Sequence, residues 1–303
     1  MIKFPLILLA MLAISCNNPI TSSDSSSENK KADNNVEQPK NLKLHELPSD
    51  LKEISGITFL TDNVVLAVQD EDGILYQYDL AGEKILNEFE FGKSDDYEDL
   101  VRIDKDVYIV SSNGSIIQVK DFQSAKPGIK KFKTVLTKDN DIEGLGYEPK
   151  KKRLLLAAKA RGLDEDENTK EIYAFNLSTM TLETTPAYTI KLDEIENYFK
   201  GDALVESSKK FLKALGNQNI NKVFRSSAIT VDPKTNNIFV LSSINNLIAV
   251  LTPDGKISQI VQFEGKEHKQ PEGLAFSESG KLYVSNEAGK KGKSNIIELE
   301  YAN

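Results

Sequence analysis

Ile142-Glu143-Gly144-Leu145 is the stretch on which the fold turns, because it returns in altered form four more times along the 303-residue chain. The other copies are Ile54-Ser55-Gly56-Ile57, Tyr97-Glu98-Asp99-Leu100, Ser226-Ser227-Ala228-Ile229 and Pro271-Glu272-Gly273-Leu274. Counted on the second residue of each, the spacings are 43, 45, 84 and 45 residues. A period of this size marks an array in which each repeat is one supersecondary unit that buries its apolar faces only against its neighbours.

Working outward, each copy is followed by a second β-rich run: NVVLAVQD (63–70), DVYIVSSN (106–113), RLLLAAK (153–159), NIFVLSS (237–243) and KLYVSNE (281–287). A third run follows in all five units, as in ILYQYDL (74–80) and NIIELEY (295–301), and a fourth in the first four, as in KILNEFEF (84–91). Four short strands per unit, parted by turns such as Leu80-Ala81-Gly82-Glu83 and Pro253-Asp254-Gly255-Lys256, predict an all-β, five-bladed β-propeller. The last unit runs out of chain after its third strand, and residues 41–47 (NLKLHEL) are available to complete it, tying the two ends of the ring together. The 84-residue spacing admits a degenerate sixth blade as an alternative. Within 191–222, however, Leu192, Ile195, Tyr198 and Phe199 recur at helical spacing, which favours five blades and a helical insertion. With no Trp in the chain, the WD-type signature is absent.

The N-terminus has a separate character. Lys3 precedes an apolar run, Phe4 to Ile14, of signal-peptide length, and the run ends at Ala13-Ile14-Ser15-Cys16. Cys16 is the sole cysteine, and its setting resembles a bacterial lipobox, although Ala13 stands where Leu is favoured. The expectation is a signal peptide over 1–15 and a lipidated Cys16. Residues 16–40 would be a polar tether, too poor in apolar side chains to offset its ordering entropy, and 41–303 the globular domain. That order predicts a cell-envelope lipoprotein of the outer membrane, facing the periplasm or the surface. With Cys16 carrying lipid, no disulfide remains to support the fold. A formal charge of -8, with acids and bases interspersed, argues against a nucleic-acid partner.

The chemistry lies in the repeated column, since the first strand of a propeller blade lines the central channel. The column reads Ser55, Glu98, Glu143, Ser227, Glu272, and two residues earlier it reads Glu53, Asp96, Asp141, Arg225, Gln270. Three glutamates converging on a narrow channel repel one another unless a counter-charge is present. A divalent cation removes the conflict, and oxygen donors without Cys or His nearby suit calcium. Capping of backbone groups between blades, or pairing with lysines such as Lys159, is the alternative for any one of them.

Ser and Glu in this column, the two Glu-Gly-Leu motifs, Asp232-Pro233 and the late Val284-Ser285-Asn286-Glu287 together resemble the SdiA-regulated family of bacterial envelope proteins, over roughly residues 45 to 302. The resemblance implies a five-bladed propeller, a calcium ion near the channel held at the positions of Glu98, Glu143 and Glu272, and no established enzymatic activity. Two departures stand out: Asp99, where a small apolar residue is usual and which would add a ligand, and Arg225, which would compete with metal or bind an anion.

Catalysis by a triad has little to work with. Only His45 and His268 exist, the first in the proposed closing strand and the second in the loop entering the fifth unit, where a solvated side chain is expected. No phosphate-binding loop, dinucleotide glycine pattern or zinc-protease motif occurs. The reading is therefore a calcium-binding propeller that serves as a binding or interaction module, with an unidentified protein or small molecule at the channel mouth. The alternative is a calcium-dependent, phytase-like phosphate-ester hydrolase using Lys159, Arg161 and Arg225. The acidic loop 163–168 (LDEDEN) lacks the spacing and glycine of an EF-hand and is expected to be a solvated hairpin tip.

Overall fold

A computed structural model describes residue 1 and residues 36–198, 223–289 and 292–301. The signal segment, Cys16 and most of the tether lie outside the described residues, as does 199–222 of the predicted insertion. The two strands that come first in the chain, β1 (Val36–Glu37) and β2 (Asn41–Glu46), take outer places in the last two sheets. Between them and the C-terminus the chain lays down one sheet after another.

The first blade is β3 (Ile54–Thr61), β4 (Val64–Gln69), β5 (Ile74–Asp79) and β6 (Lys84–Glu90), in that order from the axis outward. The second is β7 (Tyr97–Ile103), β8 (Asp106–Ser111), β9 (Ile116–Lys120) and β10 (Gly128–Phe132). The third is β11 (Ile142–Glu148), β12 (Arg153–Ala158), β13 (Thr169–Asn176) and β14 (Thr181–Lys191), after which helix α1 (Leu192–Tyr198) opens the predicted insertion. The fourth is β15 (Ser226–Val231), β16 (Ile238–Ser242), β17 (Leu247–Leu251) and β18 (Ile257–Gln262). The fifth is β19 (Pro271–Phe276), β20 (Leu282–Asn286) and β21 (Asn295–Leu299), completed by β2, whose Leu44 stands opposite Ile297. Each inner strand touches the next, and β19 touches β3, so the ring of five blades closes. The five-bladed prediction and its closing strand are thereby met.

Burial explains the strand composition. Middle strands such as β16 (IFVLS) and β17 (LIAVL) are buried along their whole length, because a blade is covered on both faces by its neighbours. Outer strands β6 and β10 are mostly exposed and carry Lys, Glu and Asn, which discourage pairing with another chain at these edges. Five apolar clusters fill the five gaps between successive blades. Aromatic pairs bridge several gaps, with Phe59 and Tyr283 at 4.8 Å joining the first blade to the last, and Phe239 and Phe276 at 5.0 Å joining the fourth to the fifth.

One boundary differs from the sequence reading. Val36 and Glu37, assigned by composition to the tether, form β1 parallel to β18, and Val36 packs on the cluster between the third and fourth blades. One apolar side chain at a free strand edge is enough to order a segment whose average composition is polar. The acidic residues 163–168 sit, as expected, in an exposed connection between β12 and β13.

Candidate cation site in the channel

Each inner strand breaks its antiparallel register with the second strand at a point near its start, and β3 breaks it again between Phe59 and Thr61. The register jumps between Ile54 and Ile57, Tyr97 and Asp99, Ile142 and Gly144, Ser226 and Ala228, and Pro271 and Gly273. The residues skipped are Ser55 with Gly56, Glu98, Glu143, Ser227 and Glu272. The repeated column of the sequence is thus a ring of β-bulges. A bulged residue has no partner in the ladder, and its side chain is re-aimed relative to an ordinary strand position. The fivefold repetition turns five such residues toward one axis.

Residues just past the end of four of the second strands reach the same chamber: Asp70, Ser112, Lys159 and Glu287. The earlier column, Glu53, Asp96, Asp141, Arg225 and Gln270, forms the rim. Its members lie in the turns that enter the strands, not on the strands, and Asp141 has a left-handed backbone at φ 54°. The rim is closed by side-chain pairs. Asp96 accepts the Ser112 hydroxyl, Arg225 lies 3.6 Å from Asp141, and the Gln270 amide donates to Glu287 at 2.7 Å. Lys159 pairs with Glu143.

The electrostatics of this chamber are unbalanced. Among the described residues, eight carboxyl groups, on Glu53, Asp70, Asp96, Glu98, Asp141, Glu143, Glu272 and Glu287, face two cations, Lys159 and Arg225, with Lys52 attached to Glu53 at the rim. Burial, reinforced by Glu143 and Asp96, pushes Glu98 up to about 10. Burial also pushes Glu143 up to about 8, although the Lys159 ammonium pulls the other way. Glu272 rises to about 7 by burial, opposed by Lys159 and Arg225, and Glu287 to about 8 by burial and its contact with Glu53. Glu143 is 6% exposed, and its Oε2 is buried without a hydrogen-bond partner among the described residues. Buried polar atoms are rarely left in that condition.

Several predicted residues have other duties. Asp99 does not face the chamber as an added ligand. Its Oδ1 accepts the Leu100 N–H and its Oδ2 the Leu145 N–H, each at 2.8 Å, and the Ile229 N–H also favours its charged form. The carboxyl, buried and pushed well upward by that burial, forms a plug beneath the glutamate ring. Adjacent strand residues point to opposite sides, so the residue after the bulge turns away from the chamber. A Cβ on Gly56 would lie 2.3 Å from Asp99 Oδ1, and one on Gly273 2.6 Å from the Ser55 carbonyl oxygen. Small neighbours are therefore required around the plug. The Ser227 hydroxyl donates to the Pro271 carbonyl at 2.9 Å, and the Ser55 main-chain carbonyl accepts the Ser285 hydroxyl at 2.7 Å, so one bulge joins the next blade by its side chain and the other by its backbone.

Below the plug the channel reopens as a cavity of about 240 Å³ lined by all five inner strands, including Phe59, Arg102, Tyr147, Val231 and Phe276. These stand four residues after the reference column, a second repeated column that the sequence reading missed. Arg102 is fully engaged by the carbonyls of Phe59 and Asp104 and by Glu278.

The histidines are buried and not solvated. His268 is 3% exposed, bonds Asn41 at 2.9 Å and packs on Phe263 at 4.6 Å. Its partners come from distant parts of the sequence, which is why local reading placed it in solvent. His45 is buried in β2, and burial lowers its pKa.

The family model described as SdiA-regulated matches residues 35–289. Among solved structures, glutaminyl cyclase of Myxococcus xanthus is similar at 10% identity over 88% of this chain and 97% of its own, with a TM-score of 0.55. A luciferin-regenerating enzyme is similar at 9% identity over 88% of this chain and 96% of its own, with a TM-score of 0.50. At such identities the likeness is one of fold. None of the curated protein sequences compared matches the chain.

Proposed function

Since the chain belongs to the SdiA-regulated family, we propose that it is a cell-envelope β-propeller, lipid-anchored through Cys16 in the outer membrane, that binds calcium in its channel and acts as a binding module. The observation that carries the cation reading is the ring of bulged glutamates, Glu98, Glu143 and Glu272, whose carboxyls are all pushed upward in the absence of a sufficient counter-charge. The donor chemistry fits: carboxyl oxygens only, without thiol or imidazole, suit a hard cation. Among the described residues, no three acidic side chains are gathered tightly enough to hold a metal as they stand. Rotation of Glu98, Glu143 and Glu272 toward the axis would be needed, and the unpartnered Glu143 Oε2 is free to make it. A bound calcium ion supplies positive charge. The chain's own part is to present carboxylates at fixed bulges, exclude water below with Asp99 and screen the rim through Arg225 and Asp141.

A hydrolase would need cations for substrate phosphate, and those available are committed to acids. Lys159 pairs with Glu143 and Arg225 with Asp141, while the Arg161 guanidinium is half exposed, 3.6 Å from Glu165 and 3.9 Å from Asp139. Binding is therefore the better-supported reading. The test is calorimetric titration of calcium into chelator-treated protein beside the Glu143→Gln/Glu272→Gln double variant. Binding that the double change abolishes supports the reading. A wild-type protein that takes up no calcium refutes it.

A further inference from the structure

The Lys159 ammonium lies where a cation is wanted, and its position is built with care. The Lys159 N–H donates to the Asp141 carbonyl at 2.8 Å, the Ala160 N–H to the Asn140 carbonyl at 3.1 Å, and the Asn140 side-chain amide to the Arg161 carbonyl at 3.0 Å. Beneath this loop the buried Lys170 ammonium donates to the carbonyls of Lys159 and Ala160. The backbone of Lys159 is thus clamped beside the Glu143 bulge, and four methylenes carry the charge inward. The Lys159 side chain is 20% exposed and that of Glu143 7%, so the lysine has an open side toward which it can withdraw while the carboxylate has none.

We propose that Lys159 is a tethered occupant of the cation site, which a divalent ion must displace before it can bind. This rests on the cation reading given above and adds what sets its affinity. A single ammonium is an incomplete substitute: it engages one oxygen of Glu143, leaves Oε2 without a partner and leaves Glu98 pushed far up. A divalent ion at the axis offers twice the charge and can engage oxygens of several blades at once. Because the lysine is covalently present, it competes at a fixed effective concentration, in the manner of any tethered ligand. Its presence raises the calcium concentration at which the site fills and disfavours monovalent ions, which bring no more charge than the lysine already supplies.

The experiment is calcium titration by calorimetry on the full-length protein, on Lys159→Met and on Lys159→Arg, all stripped with chelator. Lys159→Met, which keeps the length and removes the charge, is expected to bind at least tenfold more tightly than wild type, and Lys159→Arg no more tightly than wild type. Binding by Lys159→Met alone refutes calcium binding by the native chain, and the proposal with it. Equal or weaker binding by Lys159→Met, with wild type binding, overturns it and leaves the cation reading standing. Absence of binding in every protein overturns the cation reading itself, and the proposal with it. Should Lys159→Met not fold, wild-type protein labelled with 13C at lysine Cε serves instead. The Lys159 resonance is expected to shift along the calcium isotherm, and a resonance unmoved through saturation overturns displacement.

Discussion

Replacing Glu98 with Gln should stabilise the metal-free protein at neutral pH, and the size of the effect follows from the ring. The Glu98 carboxyl, ordinarily near 4.5, is pushed up to about 10 by burial, by Glu143 and by Asp96. In the folded chain it is protonated at pH 7, whereas in the unfolded chain it is ionised. A folded-state pKa above the unfolded one means that the native state binds more protons. Stability is then highest below the unfolded pKa and falls as pH rises toward the folded value. From pH 4.5 to 7 the loss is about 2.5 pH units at about 1.4 kcal/mol each, or roughly 3 kcal/mol. Gln carries no proton to lose, so Glu98→Gln should gain roughly that amount at pH 7 and almost nothing at pH 4.5. Three kcal/mol is a large part of the roughly 5–15 kcal/mol that holds a domain folded. The assay is urea unfolding in chelator at pH 5, 6, 7 and 8, comparing midpoints at constant slope. In saturating calcium the order should invert, because wild type gains binding energy that the variant has lost. A Glu98→Gln protein less stable than wild type in chelator at pH 7, or an advantage that does not grow with pH, would refute the reasoning.

Other consequences can be measured on the same material. Calcium uptake should release protons and tighten between pH 6 and 8, because Glu98, Glu143 and Glu272 hold protons that the ion must expel; titration in buffers of differing ionisation enthalpy reads the number released. Asp99→Ala strands the Leu100 and Leu145 N–H groups at the crowded axis, at about 1–3 kcal/mol each, and should lower the unfolding midpoint accordingly; a change below about 1 kcal/mol would show that water replaces the carboxyl. Gly56→Ala should cost about 1–3 kcal/mol by driving a methyl group into Asp99, and Asp99→Ala in the same chain should recover part of it in a double-mutant cycle. Cys16→Ser should move the protein from the membrane fraction to the soluble fraction; an unchanged partition would remove the lipid anchor.

The fold was legible because it is written five times. One copy of Ile-Glu-Gly-Leu says little, but five at a near-constant spacing fix the blade count, and the missing fourth strand of the last unit points to residues 41–47. The glutamate ring was legible for the same reason. Its partners were not, because Asp70 and Glu287 stand at the ends of second strands, where a strand-by-strand reading sees only the last letter of an apolar run. The direction of Asp99 was hidden by the bulge, since a one-residue shift in register exchanges the two faces of a strand. His268 was misplaced because Asn41, its bonding partner, is contributed by the closing strand from the other end of the chain.

The bulges also explain why the column tolerates both Ser and Glu. A residue outside the ladder makes no demand on strand register, so the blade does not depend on what its side chain is. The geometry is held by the residues around it: the small Gly56, Gly144, Ala228 and Gly273, and the Asp99 plug that fills the space left at Gly56. Where the bulged residue is Ser227, its hydroxyl is consumed by the next blade. Where it is glutamate, the carboxyl is too long for that role and too acidic to lie idle, and it extends into the chamber. The fold thus supplies five equivalent positions, and the sequence fills two with short serines and three with charge. Glu98 and Glu143 sit on adjacent blades, while Glu272 stands across the ring between the two serine blades, yet the Lys159 ammonium acts on all three, so an ion entering the channel meets both its ligands and its competitor.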